Sequence, residues 1–490
     1  MPVTVLKTMF GNRVEDADPI AMPYAGAHLA AGADAVHPSL PFQLNTDRHG
    51  ELMSVSSSLD SFFGITEKGS TLKTEVKGGV LVFLAMVYII AVNSAMMSDA
   101  GVPYEEAYSA TIIMTIIGSL LMGLYARYPV AMAPGMGINA MFCYTAVLGL
   151  GFTWQEALVA VIIAGAAFFV LTVSGIRQKL LDKIPLALKA GIIAGIGGFI
   201  AFIGLENARI ITGASTLVGL GDMSDTFVLL GVFCIALTLF LRARGSSLAV
   251  LIGMLVTAVL AVIFGVTEIP SDIFSMPSAP PVGAFLDGIT SDILSLKFLA
   301  VIITFAFVEF FDGSGTLIAV GKRAGFEDEK GNVTCSTALQ VDAGIASLSG
   351  AIGCTPTTAF AESAVGADAG ARTGLVPVVV AALFALSLFI APLFQMVGYE
   401  CTVGAMVVVG IAMMSELRDV DWSDGPSLVA VVMTVLMMIL TYSITTGLAF
   451  GLIFYCVAMI GARRYREVSP VLYVMAVIFL LYLVMCAVAY

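Results

Sequence analysis

Two prolines set inside membrane-length apolar runs constrain this chain more than any other feature of its sequence. The first lies in Tyr128-Pro-Val-Ala-Met-Ala-Pro-Gly-Met-Gly-Ile-Asn-Ala-Met-Phe142, the second in Gly350-Ala-Ile-Gly-Cys-Thr-Pro-Thr-Thr-Ala-Phe-Ala-Glu-Ser-Ala364. Each stretch begins apolar, breaks at a proline flanked by Gly, Thr or Ala, and resumes with helix-forming residues. Backbone that leaves helical geometry at membrane depth survives only where protein or a water-filled cavity satisfies its amides and carbonyls. Pro134 and Pro356 are 222 residues apart, close to half of the apolar chain. A pair of broken segments at matching places in two halves is the mark of an inverted-repeat transporter with its site between the breaks.

Composition agrees with a membrane setting. Of 490 residues 59% are hydrophobic and only 12% charged, against roughly 25% charged in soluble domains. The net charge of −12 lies largely in the N-terminal tail and the loops, so no nucleic-acid partner is expected. The seven cysteines (Cys143, Cys234, Cys335, Cys354, Cys401, Cys456 and Cys486) are scattered and mostly inside apolar runs. They form neither a disulfide framework nor a C-x-x-C metal site, and they read as packing residues. His28, His37 and His49 all fall in the polar N-terminal segment, so proton chemistry at membrane depth falls to carboxylates.

Residues 1–60 lack sustained periodicity and read as a disordered extension, with Met53 as the expected natural start and no secretory signal ahead of it. Residues 61–490 read as a transmembrane transporter domain. Apolar segments follow at about 78–97, 107–125, 130–149, 157–174, 186–204, 225–241, 247–266, 296–320, 335–350, 353–371, 375–396, 402–415, 427–442, 445–461 and 470–490. That gives fourteen spans of an all-α polytopic membrane protein, and a C-terminal apolar segment whose topology the pattern leaves open. Basic residues cluster in alternate connections: Lys68, Lys73 and Lys77; Arg127; Arg177, Lys179 and Lys183; Arg242 and Arg244; Lys322, Arg323 and Lys330; Arg463, Arg464 and Arg466. The intervening loops 98–106, 151–156 and 266–295 contain no Lys or Arg, which puts the N-terminus in the cytoplasm of a cell-membrane protein. Gly191, Gly195 and Gly198, at helical spacing, predict a close helix–helix contact.

Few residues at membrane depth can carry chemistry. Asp312 sits inside the apolar run Phe307-Val-Glu-Phe-Phe-Asp-Gly-Ser-Gly-Thr-Leu317. A charge there costs a few kcal/mol or more and persists where it faces a partner or a cavity; the alternative is a protonated acid bonded to a neighbouring helix. Glu309, three residues earlier on nearly the same helical face, is either a helper to Asp312 or a structural hydrogen-bonder. Asn139 lies five residues after Pro134 and Glu362 six after Pro356, each about one and a half turns into a resumed half-helix. For Asn139 the rival reading is a helix-packing amide. Two acids, an amide and free N–H groups at half-helix ends suit a flat heterocycle with adjacent donors and acceptors. An anion would want Arg or Lys, and a hard cation more carboxylates, so neither a metal nor a cofactor is expected. Asp368 and Arg372, at i, i+4, predict an internal salt bridge. Gly315-Thr-Leu-Ile-Ala-Val-Gly-Lys322 resembles a phosphate loop, but its spacing is wrong and no Ser or Thr follows the lysine. No nucleophile–base set exists at membrane depth, which argues against an enzyme.

At these residues the sequence resembles the AzgA-like branch of the nucleobase–cation symporters, the purine permeases for adenine, guanine and hypoxanthine. The matching stretches are Thr74-Glu75, Tyr88-Ile-Ile-Ala-Val-Asn93, Ala133-Pro-Gly-Met-Gly-Ile-Asn139 and Ile184-Pro with Gly195-Ile-Gly-Gly-Phe199. They continue through Phe310-Phe-Asp312 to Gly315-Thr-Leu317, Thr358-Ala-Phe-Ala-Glu362-Ser-Ala, Gly370-Ala-Arg-Thr-Gly-Leu375 and Leu440-Thr-Tyr-Ser-Ile444. The resemblance implies two inverted seven-span repeats, with short antiparallel strands at the broken spans 3 and 10. It implies a core (about 74–175 and 296–396) moving against a gate (about 184–266 and 397–461). It also implies that Asp312 and Glu362 bind a purine and couple its entry to a proton rather than sodium, with Gly137, Asn139, Glu309 and Thr358 in the same site. A homodimer is allowed without being specified. An anion carrier for sulfate or bicarbonate, of related architecture, is the alternative. Four departures from the family pattern stand out: Ser94, Gly313-Ser314, Glu206, and Tyr399-Glu-Cys-Thr-Val-Gly-Ala405.

Overall fold

The computed structural model describes residues 57–175, 185–214, 217–327, 333 and 335–488. The expected extension, the three histidines and Met53 therefore lie outside the described residues, except that 57–60 already belong to a helical stretch. That stretch is fastened by Asp60, whose carboxylate accepts from Thr66 N and Oγ1 at 2.7 and 2.8 Å.

The chain is mostly helical. The helices are α1 (Leu72–Asp99), α2 (Tyr104–Tyr125), α3 (Met136–Gly149), α4 (Trp154–Val173), α5 (Leu186–Asn207), α6 (Thr226–Ala243) and α7 (Ala249–Ile263). Beyond the long connection come α8 (Leu296–Arg323), α9 (Ser336–Ile352), the short α10 (Ser363–Asp368) and α11 (Leu375–Ser387). α12 (Tyr399–Asp419), α13 (Gly425–Leu440), α14 (Ile444–Gly461) and α15 (Pro470–Val488) complete the chain. Among the described residues, seven helices (α1, α2, α4, α5, α6, α12 and α14) are long and apolar enough to cross a membrane. Local chemistry sets where helices start. Thr71, Asp225, Ser295, Asp424 and Ser443 each cap a following helix with a side-chain oxygen, and Thr153 with Glu156 forms a capping box. Inside the apolar helices Thr111, Thr115, Thr304 and Thr434 return their hydroxyl protons to carbonyls four residues back, which satisfies them without a partner helix.

The helices sort into two packing groups. In the first, α4 lies along α9, α11 along α1 and α2, and α8 against α4, α9 and α10. In the second, α5 is sandwiched by α12 and α13, α6 by α7 and α12, and α13 pairs with α14. The expected glycine contact falls in the second group. A Cβ on Gly191 would stand 3.1 Å from Val431 Cα, on Gly195 2.5 Å from Met438 Sδ, and on Gly198 2.8 Å from Ile439 Cδ1, so the glycine stripe is the bed for α13.

Both proline breaks belong to the first group. Strand β1 (Met132–Pro134) runs antiparallel to the second break's strand (Thr357–Ala359), with Ala133 opposite Thr358. Between them in sequence, β2 (Ile211–Ala214) and β3 (Leu217–Leu220) form a hairpin after α5, so the second break's strand is β4. Gly135 N donates to Pro356 O at 3.1 Å and Phe360 N to Ala131 O at 2.9 Å, extending the β1–β4 ladder at both ends. The backbone groups released by the breaks thus satisfy each other.

Two local expectations need correction. Asp368 pairs with Arg323 at 3.0 Å, not with Arg372. Arg372 donates instead to the carbonyls of Arg323 and Ala367, because the helix ends at Asp368 and the i, i+4 geometry is lost. Glu362 does not lie one and a half turns into a helix either. The residues after Pro356 are taken up by β4 and a turn, and Glu362 is the N-cap residue of α10.

Candidate functional site

Two carboxylates from different elements converge beside the paired strands. Asp312 projects from the middle of α8, and its Oδ2 lies 3.3 Å from where a Cβ on Gly135 would stand, so the first break leaves room for this acid. Glu362 enters from the second break, and Tyr88 of α1 donates to its Oε1 at 2.7 Å. Asp312 is within electrostatic reach of both Glu362 and Asp342. Asp312 and Glu362 are half-buried, and Ala361 beside Glu362 is exposed, although the surrounding helices are packed. The two acids therefore lie within electrostatic reach of each other beside the paired strands, and neither is fully buried.

The remaining expected residues lie around the breaks but do not all face the two acids. Thr358 is 1% exposed and donates its hydroxyl to Asp342 Oδ1 at 2.8 Å, so it holds β4 rather than presenting a donor outward. Asn139, fully buried in the first turn of α3, donates to Pro134 O at 3.5 Å. Its amide oxygen has no donor among the described residues, an uncommon condition for a buried polar atom. Gly137 faces away toward the second group, where a Cβ would come 2.7 Å from Ile196 Cγ2 of α5. Glu309 is buried one turn before Asp312 on α8.

Four further residues lie around the two acids. Asp342 of α9 is fully buried and accepts from Thr358 Oγ1 and from Ala359 N (3.1 Å), so one carboxylate clamps the middle of β4. Gly313 lies against that carboxylate, and a Cβ there would collide with Asp342 Oδ2. The glycine that departs from the family pattern is thus matched to Asp342. Tyr88, which opens the matching stretch Tyr88–Asn93, acts here as a donor to Glu362. Arg242, exposed at the last turn of α6, is within electrostatic reach of Glu362 and Tyr88. Among the described residues no cluster of His, Cys, Asp and Glu could hold a metal ion.

An acid pair beside two paired breaks is a transporter's arrangement, and comparison with known proteins decides the family. A model described as "Permease family" (Xan_ur_permease) matches residues 73–450. The chain belongs to the xanthine/uracil permease family. The guanine/hypoxanthine permease PbuG of Bacillus subtilis (strain 168) is 39% identical over 437 residues, covering 87% of this chain and 99% of the relative. The adenine permease AdeP of Escherichia coli (strain K12) is 38% identical over 440 residues, covering 89% of this chain and 98% of the relative. Among solved structures, the transmembrane domain of the cyanobacterial bicarbonate transporter BicA superposes with a TM-score of 0.58 at 13% identity, covering 78% of this chain and 97% of that one. At that identity the likeness concerns the fold alone. This permease is a multi-pass membrane protein of a transport family.

Proposed function

We propose that this permease imports purine nucleobases (guanine, hypoxanthine or adenine) by proton symport, through an elevator or rocking movement of one helix group against the other. The first packing group acts as the core and the second as the gate, in fourteen spans arranged as two inverted repeats with the N-terminus in the cytoplasm. The observation that supports the reading is the approach of two incompletely buried acids, Asp312 and Glu362, beside the β1–β4 ladder. Asp312 is the principal base-binding carboxylate and Glu362 the proton-linked group. A carboxylate accepts two adjacent N–H groups side by side, as the N1–H and 2-amino edge of guanine offers them, and the amide oxygen of Asn139 adds an acceptor. Protonation removes charge from the site and lets the loaded core cross. The relatives are named for guanine, hypoxanthine and adenine, which supports the substrate class. An anion carrier, suggested by the BicA fold, is less well matched by a pair of acids.

Uptake of radiolabelled guanine, hypoxanthine and adenine in cells lacking their own permeases, with unlabelled competitors and an uncoupler, tests the reading. Uptake that competitors and the uncoupler both abolish is expected. Asp312→Asn and Glu362→Gln should each lower it at least about tenfold, as the loss of a charge-assisted hydrogen bond does. Bicarbonate or sulfate uptake with no purine uptake would overturn the proposal.

A further inference from the structure

We infer that Asp99 is the hub of an external latch that joins core to gate and must open before the site can face outward. The inference rests on the transporter reading and the orientation proposed above, and it concerns residues remote from the two site acids. Asp99 ends α1, and its Oδ2 accepts two phenol protons. One comes from Tyr144 of α3 at 2.8 Å, within the same packing group. The other comes from Tyr399, the first residue of α12 in the opposite group, at 2.5 Å. Tyr144 is itself gripped from across the seam, because its hydroxyl accepts from Asn207 Nδ2 at the end of α5 at 2.8 Å. Its ring meets the edge of Tyr442, between α13 and α14, with centroids 6.0 Å apart and planes at 88°.

Tyr442 is held in place by its own group. It packs edge-on against Phe199 and Phe202 of α5, and its backbone adopts the left-handed region at φ 54°. A bulky residue in that conformation is uncommon and persists where the surroundings over-determine it. Asp99, Tyr144, Leu148, Glu206, Asn207 and Tyr442 line a pocket of about 470 Å³. Below the pocket the seam continues along one face of α3. Ile444 N donates to Thr145 Oγ1 (3.3 Å), the Thr445 hydroxyl donates to Met141 Sδ (3.7 Å), and Gly137 abuts Ile196. Positions 137, 141, 144 and 148 recur at helical spacing, so the half-helix that leads away from the first break is the face the gate closes on. With the N-terminus inside, α1 ends outside, and the latch seals the external mouth.

The test reads access rather than transport. The seven native cysteines are replaced, Thr145→Cys is introduced, and membrane vesicles of the full chain are treated from outside with a membrane-impermeant maleimide in the absence of substrate. Thr145 is fully buried at the seam, so the parent labels slowly. Tyr399→Phe removes only the bond across the seam, and Asp99→Asn removes the charged hub. Each is expected to speed labelling about tenfold, the shift in open population that accompanies the loss of one hydrogen bond to a charged group. Should Tyr399→Phe label at the parent's rate, the latch is refuted, whatever Asp99→Asn does. Guanine uptake measured in the same vesicles keeps the two proposals separate: absent uptake with accelerated labelling sinks the purine reading and supports the latch.

Discussion

The Tyr88 hydroxyl and the Glu362 carboxylate come together from positions 274 residues apart, in a bond of 2.7 Å between α1 and the second break. A donor aimed at a carboxylate fixes its rotamer, so Tyr88 sets where Glu362 points. Tyr88→Phe keeps the ring, which packs against Phe360 with centroids 6.3 Å apart, and removes only the donor. We expect initial rates of purine uptake at low substrate to fall about tenfold with membrane expression unchanged; an unaltered rate would show that Glu362 is positioned by its backbone alone. Asp312 and Glu362 stand out in sequence because an ionisable group at membrane depth has few structural reasons to be there. Tyr88 does not, since a tyrosine in an apolar helix is indistinguishable from core until its hydroxyl is seen to have a partner. Asp342 escaped for a related reason. It lies in the apolar segment 335–350 but was not singled out, and its role depends on Thr358 and Ala359 arriving from β4, a pairing that helical periodicity does not encode.

At the scale of elements, the second break is supported from three sides. Asp342 clamps β4 from α9, Ser363 accepts from Ala131 N at 2.9 Å, and α1 supports the chain beyond α10 through Glu75. Glu75 is fully buried; its Oε1 accepts from Arg372 N at 2.7 Å, and its Oε2 accepts from Thr373 N and Oγ1 at 3.1 and 2.7 Å. One side chain therefore satisfies the donors of the turn that delivers α11. Glu75→Ala strands those donors away from water, at roughly 1–3 kcal/mol for each group left unmade. The purified variant should lose most of its folded fraction or melt many degrees lower in a detergent thermal-shift assay. Glu75→Gln, which keeps one acceptor oxygen, should fall between the variant and the parent. Retention of the parent's melting temperature by Glu75→Ala would mean that water replaces the carboxylate. Sequence located both breaks through their prolines but misjudged the stretch just beyond the second. The spacing argument expects helix from Pro356 onward, while the resemblance implies short strands at the breaks; the ladder with β1 claims Thr357–Ala359 and delays α10 to Ser363. Local propensity yields here to a partner strand supplied by the other half of the chain.

For the whole molecule, transport by relative movement requires that contacts within each packing group persist while those across the seam exchange. The interior of the first group is tied by backbone ladder and buried carboxylates, at β1–β4, Asp342 and Glu75. The seam near the middle of α3 is tied by weaker contacts, the amide of Ile444 on Thr145 and the Thr445 hydroxyl on a thioether sulfur at 3.7 Å. Weak, small-area contacts are what a sliding surface can give up repeatedly, whereas the ladder resists that loss. A covalent bridge across the seam should therefore stop transport without unfolding either group. Met141→Cys with Thr445→Cys, in a background without native cysteines, joined by a short bifunctional methanethiosulfonate, provides the bridge. Purine uptake should be lost in proportion to the fraction bridged and should return on reduction, while the melting temperature is held or raised. If bridged protein, verified by mass, transports at the unbridged rate, then the two helix groups do not move past one another at α3, and the moving boundary lies elsewhere in the bundle.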